Sequence, residues 1–372
     1  MKRILQVVYT MDKGGLETYI MTVFRAIKKY NESFDFLVHQ RRTFDFTQEI
    51  ENLGGRIFTV IPRSRSILGN VLSVGNFFLH HREYKAIEYH DSSFSYLFPL
   101  VLARLFGIPH RIIHIHSSSV PKKRRRINSL LNKMHIYIAP FFCTNVLVCS
   151  EQIRSDLIKR NERLGALIAI VHNPIVVADY RFSITLRQLF RMRLGISPEA
   201  VVLLQVGRFS YPKNQIYSYA IWKSYWQINR DCFLIYIGDG EDKAAVSAAV
   251  AEDEARNIFF LPSTSKVSEA LCGSDVLLMP SYYEGFPISL IEAQASGIYC
   301  LCSDTITAEV AITDLVHLVS LKCSPATWAA EIDDFIHSSK FDLESRYKYG
   351  DELIKTDFDA DFAIENIVKY YN

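Results

Sequence analysis

Short apolar runs alternate with stretches of helical period along the whole chain. In the first half, Ile4–Tyr9, Phe34–Val38, Arg56–Ile61, Arg111–His116, Asn145–Cys149 and Leu167–Val171 predict strands. In the second half, Val201–Val206, Phe233–Ile237, Ile258–Leu261, Val276–Met279, Tyr299–Ser303 and Val316–Val319 do the same. Between strands, positions such as Leu16, Ile20, Val23, Phe24 and Ile27 fall on one helical face. Near-continuous apolar strands separated by helices predict an α/β chain whose parallel sheets are covered on both faces. Twelve strands are too many for an ordinary single sheet, so the pattern divides into two. His172-Asn173-Pro174 reads as the dividing turn, and a polar, Arg-rich stretch, Tyr180–Arg193, follows it. Ile364, Ile367, Val368 and Tyr371 mark a docked helix at the C-terminal end.

Composition narrows the class. The chain has 372 residues, 49% hydrophobic and 22% charged, which excludes wholesale disorder. A net charge of +2 excludes a generally basic nucleic-acid coat. Seven cysteines, an odd number, fit no zinc or disulfide spacing, so a reducing, cytoplasmic compartment is expected. Met1–Tyr9 lacks the features of a signal peptide, and no run reaches the ~18 apolar residues of a membrane span.

The second half carries the strongest chemistry. After the strand Val276–Met279 comes Ser281-Tyr282-Tyr283-Glu284-Gly285-Phe286-Pro287, then a short helix that ends near Gly297. The loop lies at the C-terminal edge of a parallel sheet, where open α/β sheets bind ligands. Taken alone, Glu284 favours a helix dipole and Glu292 is a solvated helix residue. Two more loops at the same edge change that weighing. Gly207-Arg208-Phe209-Ser210-Tyr211-Pro212-Lys213 follows Val201–Val206 and holds two cations suited to a diphosphate. Gly238-Asp239-Gly240 follows Phe233–Ile237 as a tight turn.

Together, Glu284…Glu292 in the context Glu-Gly-Phe-Pro, Gly207-Arg208…Lys213 and Gly238-Asp239-Gly240 resemble a retaining glycosyltransferase of the GT-B fold, family-4 type, over nearly the whole chain. The resemblance implies two Rossmann-like domains facing across a cleft: an acceptor-binding domain over 1–178 and a nucleotide-sugar domain over 179–350. A C-terminal helix over 351–372 would pack back on the first domain. It implies that Arg208 and Lys213 hold the diphosphate, Glu284 contacts the donor sugar and Glu292 the ribose, with Gly238 and the Gly285-Phe286-Pro287 backbone helping to seat the donor. No cofactor and no catalytic metal is implied, since the nucleotide sugar is a substrate. Pro262 departs from the pattern, standing where the family has a glycine after Ile258–Leu261. His172-Asn173-Pro174-Ile175 departs as well, replacing Asn-Gly-Ile-Asp.

In the first half, Gly14 and Gly15 open a helix and let the backbone approach an anion. The family sets this loop against the donor phosphates. His110, His114 and His116 lie on or beside one strand. His114 and His116 share a face, so a metal pair is conceivable, but no third ligand stands out. The resemblance places His116 near the reacting sugar. Lys122, Lys123, Arg124, Arg125 and Arg126 form a dense basic run before helical Ile127, Leu130, Leu131 and Met134. A solvated loop, an anionic membrane surface and a lipid diphosphate all fit it. No nucleic-acid reader motif accompanies it. Phe77, Phe78 and Leu79 read either as core or as part of an acceptor face.

The expected reaction moves a hexosyl group from a nucleotide diphosphate sugar, with UDP the family's commonest nucleotide, to a saccharide acceptor with retained configuration. The resemblance and the basic run together imply a lipid-linked acceptor in exopolysaccharide, capsule or lipopolysaccharide synthesis. That would place the chain at the inner face of the cytoplasmic membrane. The alternatives are a non-hydrolysing sugar-nucleotide epimerase, which shares the fold, and a catalytically silent subunit of an assembly complex.

Overall fold

The computed structural model describes residues 2–40, 42–116, 125–250, 255–264, 266–339 and 341–372. The chain forms two units: Met1–Pro174 with Ala360–Asn372, and Ile175–Asp359. Each is built on one all-parallel sheet.

The first sheet has seven strands: β1 (Lys2–Val8), β2 (Glu32–Val38), β3 (Ile57–Thr59), β4 (Tyr84–Asp91), β5 (His110–Ile115), β6 (Asn145–Val148) and β7 (Ile168–Ile170). Their order is β3-β2-β1-β4-β5-β6-β7. The second has six: β8 (Val201–Val206), β9 (Cys232–Ile237), β10 (Ile258–Leu261), β11 (Val276–Met279), β12 (Tyr299–Ser303) and β13 (Val316–Val319), in the order β10-β9-β8-β11-β12-β13. The strand order reverses between β1 and β4 in one sheet and between β8 and β11 in the other. Connections leave to opposite faces at such a switch point, and the crevice between them takes ligands.

One strand escapes the apolar pattern. β4 carries Lys85, Glu88, His90 and Asp91, so it does not read as a buried run, yet it pairs with both β1 and β5 at the centre of its sheet. Glu88 and His90 are nonetheless buried. Burial of such groups requires partners, and these are described below.

The polar stretch after the dividing turn contains a helix, Ile184–Leu194, capped by Ser183 Oγ on the amide of Leu186. Its Arg187 and Arg191 are buried and each donates to Asp275 at 2.7 Å. Asp275 also accepts from the amide of Val202 at 2.8 Å. One carboxylate thus ties this helix to the start of the central strand pair of the second sheet. Trp222, Trp328 and Tyr225 fill the core on that sheet.

The stretch expected as one helix from residue 351 is two helices. Tyr347–Leu353 lies in the second unit and Ala360–Val368 in the first. Between them Asp359 bridges to Ile175, which interrupts helical hydrogen bonding. Phe77 and Phe78 are buried on the helix Ile67–His80, while Leu79 is exposed, because one helical turn cannot aim three consecutive side chains inward. The cysteines are free, and all but Cys323 are buried. Among the described residues no helix is long and apolar enough to cross a membrane.

Candidate active site

The loops after β8 and β9 in the second unit are packed backbone against backbone. The amide of Gly207 donates to Ile237 O, and that of Phe209 to Asp239 O. Gly238 (φ +149) and Gly240 (φ +155) have a conformation that side chains rarely adopt. A Cβ on Gly238 would lie 2.1 Å from Gly207 O, and one on Gly240 2.2 Å from Phe209 O. Glycine is therefore required at both positions.

The loop after β8 is also sewn to the loop after β11. Asn214, held left-handed at φ +51, donates from Nδ2 to Pro280 O at 3.0 Å. The amide of Tyr282 donates to Pro212 O at 2.8 Å, and the rings of Tyr211 and Tyr282 stack at 4.9 Å. Gln205 and Gln215 brace the first loop from below, donating to Lys213 O and Arg208 O at 2.8 Å each. These bonds cross the switch point and fix the charged groups above it.

Those groups are Lys213, Glu284 and Arg208. Lys213 Nζ lies 2.7 Å from Glu284 Oε1, which also accepts from Ser281 Oγ at 2.7 Å. The carbonyl of Ser281 in turn accepts from Ser303 and Thr305. Arg208 is largely exposed and pairs with exposed Glu241 at 3.0 Å. Such an exposed pair is weak and readily exchanged for a phosphate. Past Glu284, Gly285 is half-buried and Phe286 is buried against Phe358, ring planes 9° apart. Pro287 caps the helix Ile288–Ala295. Glu292 is buried on that helix and accepts from the Tyr180 hydroxyl at 2.7 Å. Burial pushes its carboxyl up to about 7. Pro262, by contrast, is exposed just past β10.

The first unit holds a second constellation. Gly14 caps the helix Gly15–Ile27, and the Glu17 carboxylate lies over it, 2.4 Å from where a Cβ would stand. Burial pushes Glu17 up to about 7, and Asp12 adds to the rise. Around Gly15 there is open space.

At the far ends of β4 and β5 the register sets Gln6 beside Glu88 and His90 beside His114. His90 Nδ1 and His116 Nε2 are 2.9 Å apart, and His90 Nε2 lies 2.6 Å from Gln6 Oε1. His114 Nδ1 lies 2.8 Å from Glu88 Oε1. Glu88 Oε2 accepts from Gln6 Nε2 at 3.1 Å and from the Tyr371 hydroxyl at 2.5 Å. Burial favours the acid form of Glu88, but His90, His114 and Tyr371 outweigh it and hold the carboxyl at about 2. Burial drives His90 down to about 4 and His116 well below its usual value.

These facts fix the protons. A carboxylate only accepts, so Gln6 turns its amide nitrogen to Glu88 and its oxygen to His90. His90 then carries its proton on Nε2 and accepts at Nδ1. His116 donates from Nε2, which leaves its Nδ1 a lone pair. The half-buried His116 is therefore a neutral ring presenting an acceptor.

The predicted residues thus gather into two sets, Lys213, Glu284 and Arg208 in one unit and His116 in the other. His110 stands apart at the start of β5, and the histidine that joins His114 and His116 is His90, from the strand that was not expected. The one signal for it was the Glu88-x-His90 alternation, which matches His114-x-His116. Lys122, Lys123 and Arg124 lie outside the described residues, as do the side chains of Arg125 and Arg126.

Comparison with known proteins agrees with this architecture. The family described as Glycosyl transferases group 1 matches residues 187–352. EpsF of Bacillus subtilis, a glycosyltransferase by name, is 28% identical across the whole of this chain and 96% of its own length. The Escherichia coli UDP-Gal:alpha-D-GlcNAc-diphosphoundecaprenol alpha-1,3-galactosyltransferase is 23% identical over 74% of this chain and 72% of its own. Among solved structures, Anabaena HepE in complex with UDP and glucose superposes with a TM-score of 0.78 at 17% identity, covering 99% of this chain and 98% of that one. Residues 187–352 are a group 1 glycosyltransferase domain, and the chain that carries them is a glycosyltransferase of the GT-B fold.

Proposed function

We propose that the chain transfers a hexosyl group, with retained configuration, from a UDP-sugar to a lipid-linked saccharide in surface-polysaccharide synthesis. The observation that carries this reading is the Lys213–Glu284 pair, held over the switch point of the second sheet beside exposed Arg208. Support for the donor comes from HepE, solved with UDP and glucose. Support for the acceptor comes from the E. coli relative, whose name specifies a diphosphoundecaprenol substrate.

In this reading the diphosphate displaces Glu241 from Arg208 and sits beside Lys213. Both cations then stabilise the charge that develops on the leaving phosphate. Glu284, once Lys213 turns to phosphate, accepts from hydroxyls of the donor sugar, and Glu292 accepts from the ribose. Gly15, with open space around it, allows close approach of phosphate to a helix N-terminus. The His116 Nδ1 lone pair accepts from a sugar hydroxyl. The leaving phosphate takes the proton of the acceptor hydroxyl as the new glycosidic bond forms on the face from which it departs.

Thermal stabilisation by UDP, GDP, ADP and their common sugars tests the donor. A ligand that binds the folded state alone raises Tm by mass action. The expected result is a rise with UDP or a UDP-sugar that is lost in Arg208→Ala. Transfer to a polyprenol-diphosphate saccharide, with product configuration read by NMR, tests the rest. No stabilisation by any nucleotide far above a plausible Kd overturns the reading, and conversion of the donor alone indicates an epimerase.

A further inference from the structure

The loop after β3 carries two arginines, Arg63 and Arg65, and then enters the helix Ile67–His80. Arg63 is held on one edge. Its Nη1 donates to Asp91 Oδ2 at 3.2 Å and to the Tyr89 hydroxyl at 3.3 Å, and its guanidinium lies over the Tyr96 ring at 5.4 Å. These partners are fixed in turn. Tyr89 donates to Asp91 at 2.6 Å, Asp91 Oδ1 accepts from the amide of Ser92 at 2.7 Å, and the Tyr96 hydroxyl donates to fully buried Asn70. Asn70 donates to Ile61 O at 2.5 Å, which closes the network onto the loop that carries Arg63.

The other edge of the guanidinium is open. Nε and Nη2 have no hydrogen-bond partner among the described residues, and 39% of the side chain is exposed. That edge is a fork that takes two phosphate oxygens in parallel. Exposed Arg65 stands two residues on, so two cations oppose one carboxylate, Asp91. Asp91 ends β4, whose pairing with β1 is the switch point of the first sheet. Its carbonyl also accepts from the amide of His116 at 3.3 Å. One residue therefore touches both Arg63 and His116.

The surroundings of the two arginines are aliphatic. Ile67, Leu68 and Leu72 are each more than half exposed, and Ile61 is exposed as well. Leu68 and Leu72 lie one turn apart on the same helical face. Neither this helix nor Phe98–Leu105, which packs against it, contains a carboxylate. Contiguous exposed apolar side chains rimmed by polar groups mark an interaction surface. Aliphatic side chains beside two cations suit a diphosphate that continues into a hydrocarbon.

We propose that Arg63, with Arg65 beside it, binds the diphosphate of a polyprenyl-diphosphate acceptor, and that Ile61, Ile67, Leu68 and Leu72 carry the start of its hydrocarbon chain. The saccharide then leaves the diphosphate on the side of Asp91 and His116. The inference rests on the lipid-linked acceptor of the proposed function and is independent of the donor site.

The test uses the full chain and calorimetric titration with farnesyl diphosphate, inorganic diphosphate and UDP. Farnesyl diphosphate should bind about tenfold or more tightly than inorganic diphosphate. Arg63→Gln should weaken farnesyl diphosphate about tenfold or more and leave UDP unchanged, while Arg208→Ala does the reverse. Replacing Leu68 and Leu72 together by Ser should reduce the preference for the farnesyl compound about threefold or more. If Arg63→Gln fails to fold by circular dichroism, exposed Arg65→Gln takes its place, with a weakening of about threefold. Absent farnesyl diphosphate binding, a folded arginine variant that binds it as wild type does, or a loss confined to Arg208→Ala overturns the proposal. Equal weakening toward phosphatidylglycerol vesicles that hold no isoprenoid does so too, since the surface then reads any anionic lipid. Farnesyl diphosphate binding that depends on Arg63 without any UDP binding overturns the donor reading alone. A polyprenol-diphosphate saccharide used with the same KM by wild type and Arg63→Gln leaves the acceptor reading intact and removes Arg63 from it.

Discussion

Lys213 and Glu284 meet at 2.7 Å and join the two loops that flank the switch point of the second sheet. With both side chains largely shielded, each holds the other in place until a diphosphate competes for the ammonium. Lys213→Ala should lower kcat by about 10²–10³-fold, the usual loss for one charge-stabilising donor. Glu284→Gln keeps the Ser281 hydrogen bond and releases Lys213, so it should bind nucleoside diphosphate at least as tightly while transferring sugar more slowly. Calorimetric binding beside steady-state kinetics separates the two effects. Unchanged transfer in Lys213→Ala would remove the lysine from the mechanism.

Glu292 makes stability depend on pH in the less usual direction. Its carboxyl is pushed from 4.5 up to about 7 in the folded state by burial. Between those values Glu292 holds a proton in the folded chain that it has lost in the unfolded one, so its contribution to stability falls as pH rises through that window. Glu292→Gln should flatten that slope and raise stability at pH 8 by up to about 3 kcal/mol. Glu17, also raised to about 7, acts in the same window, and Glu17→Gln should remove its share. Urea midpoints at half-unit pH intervals read both. Buried His39, His90 and His116, whose pKa values are lowered, pull the wild-type slope the other way, so the difference between wild type and variant carries the test, and a slope that neither substitution changes would show that neither acid is held protonated.

Gly238 and Gly15 should respond oppositely to the same added methyl group. At Gly238 the methyl meets a carbonyl at 2.1 Å in a positive-φ backbone, and Gly238→Ala should cost about 3 kcal/mol or more. At Gly15 it meets nothing within 4 Å on a helical backbone, and Gly15→Ala should leave Tm unchanged or raise it. If phosphate approaches that backbone, Gly15→Ala should nevertheless raise KM for the donor about tenfold, or 1.4 kcal/mol. An unchanged KM would place the phosphate elsewhere.

Asp275 pairs with two buried guanidiniums, Arg187 and Arg191. Asp275→Asn takes the paired carboxylate from both and should destabilise the second unit by about 3–5 kcal/mol, read as a drop in its melting or denaturant midpoint. A change under 1 kcal/mol would mean that the carbonyls around Arg191 suffice on their own.

The second sheet was readable because each of its strands is an apolar run closed by a turn residue. Val201–Val206 ends at Gly207, and Val276–Met279 ends at Pro280. The loops at its edge were readable for the same reason: placing a parallel strand also places the loop after it at the ligand-binding edge. β4 was not readable, because its buried face is spent on Glu88 and His90, whose partners arrive from β1, β5 and residue 371. Arg187 and Arg191 were hidden likewise, since the acid that neutralises them lies far along the chain. Local pattern reports burial of apolar groups well, and polar groups buried by distant partners hardly at all.

The hydroxyl of Tyr371 reaches Glu88 across 283 residues of sequence. On a ribosome, the first sheet emerges early with its central carboxylate lacking that donor, and the whole second unit is synthesised before the missing tyrosine appears. Domains made first usually finish first; here the earlier one is expected to finish last. Shortening the message so that synthesis stops before residue 371 should give nascent chains whose second unit resists protease while the first does not. A cell making this protein has to shelter an incomplete N-terminal half for most of the time translation takes.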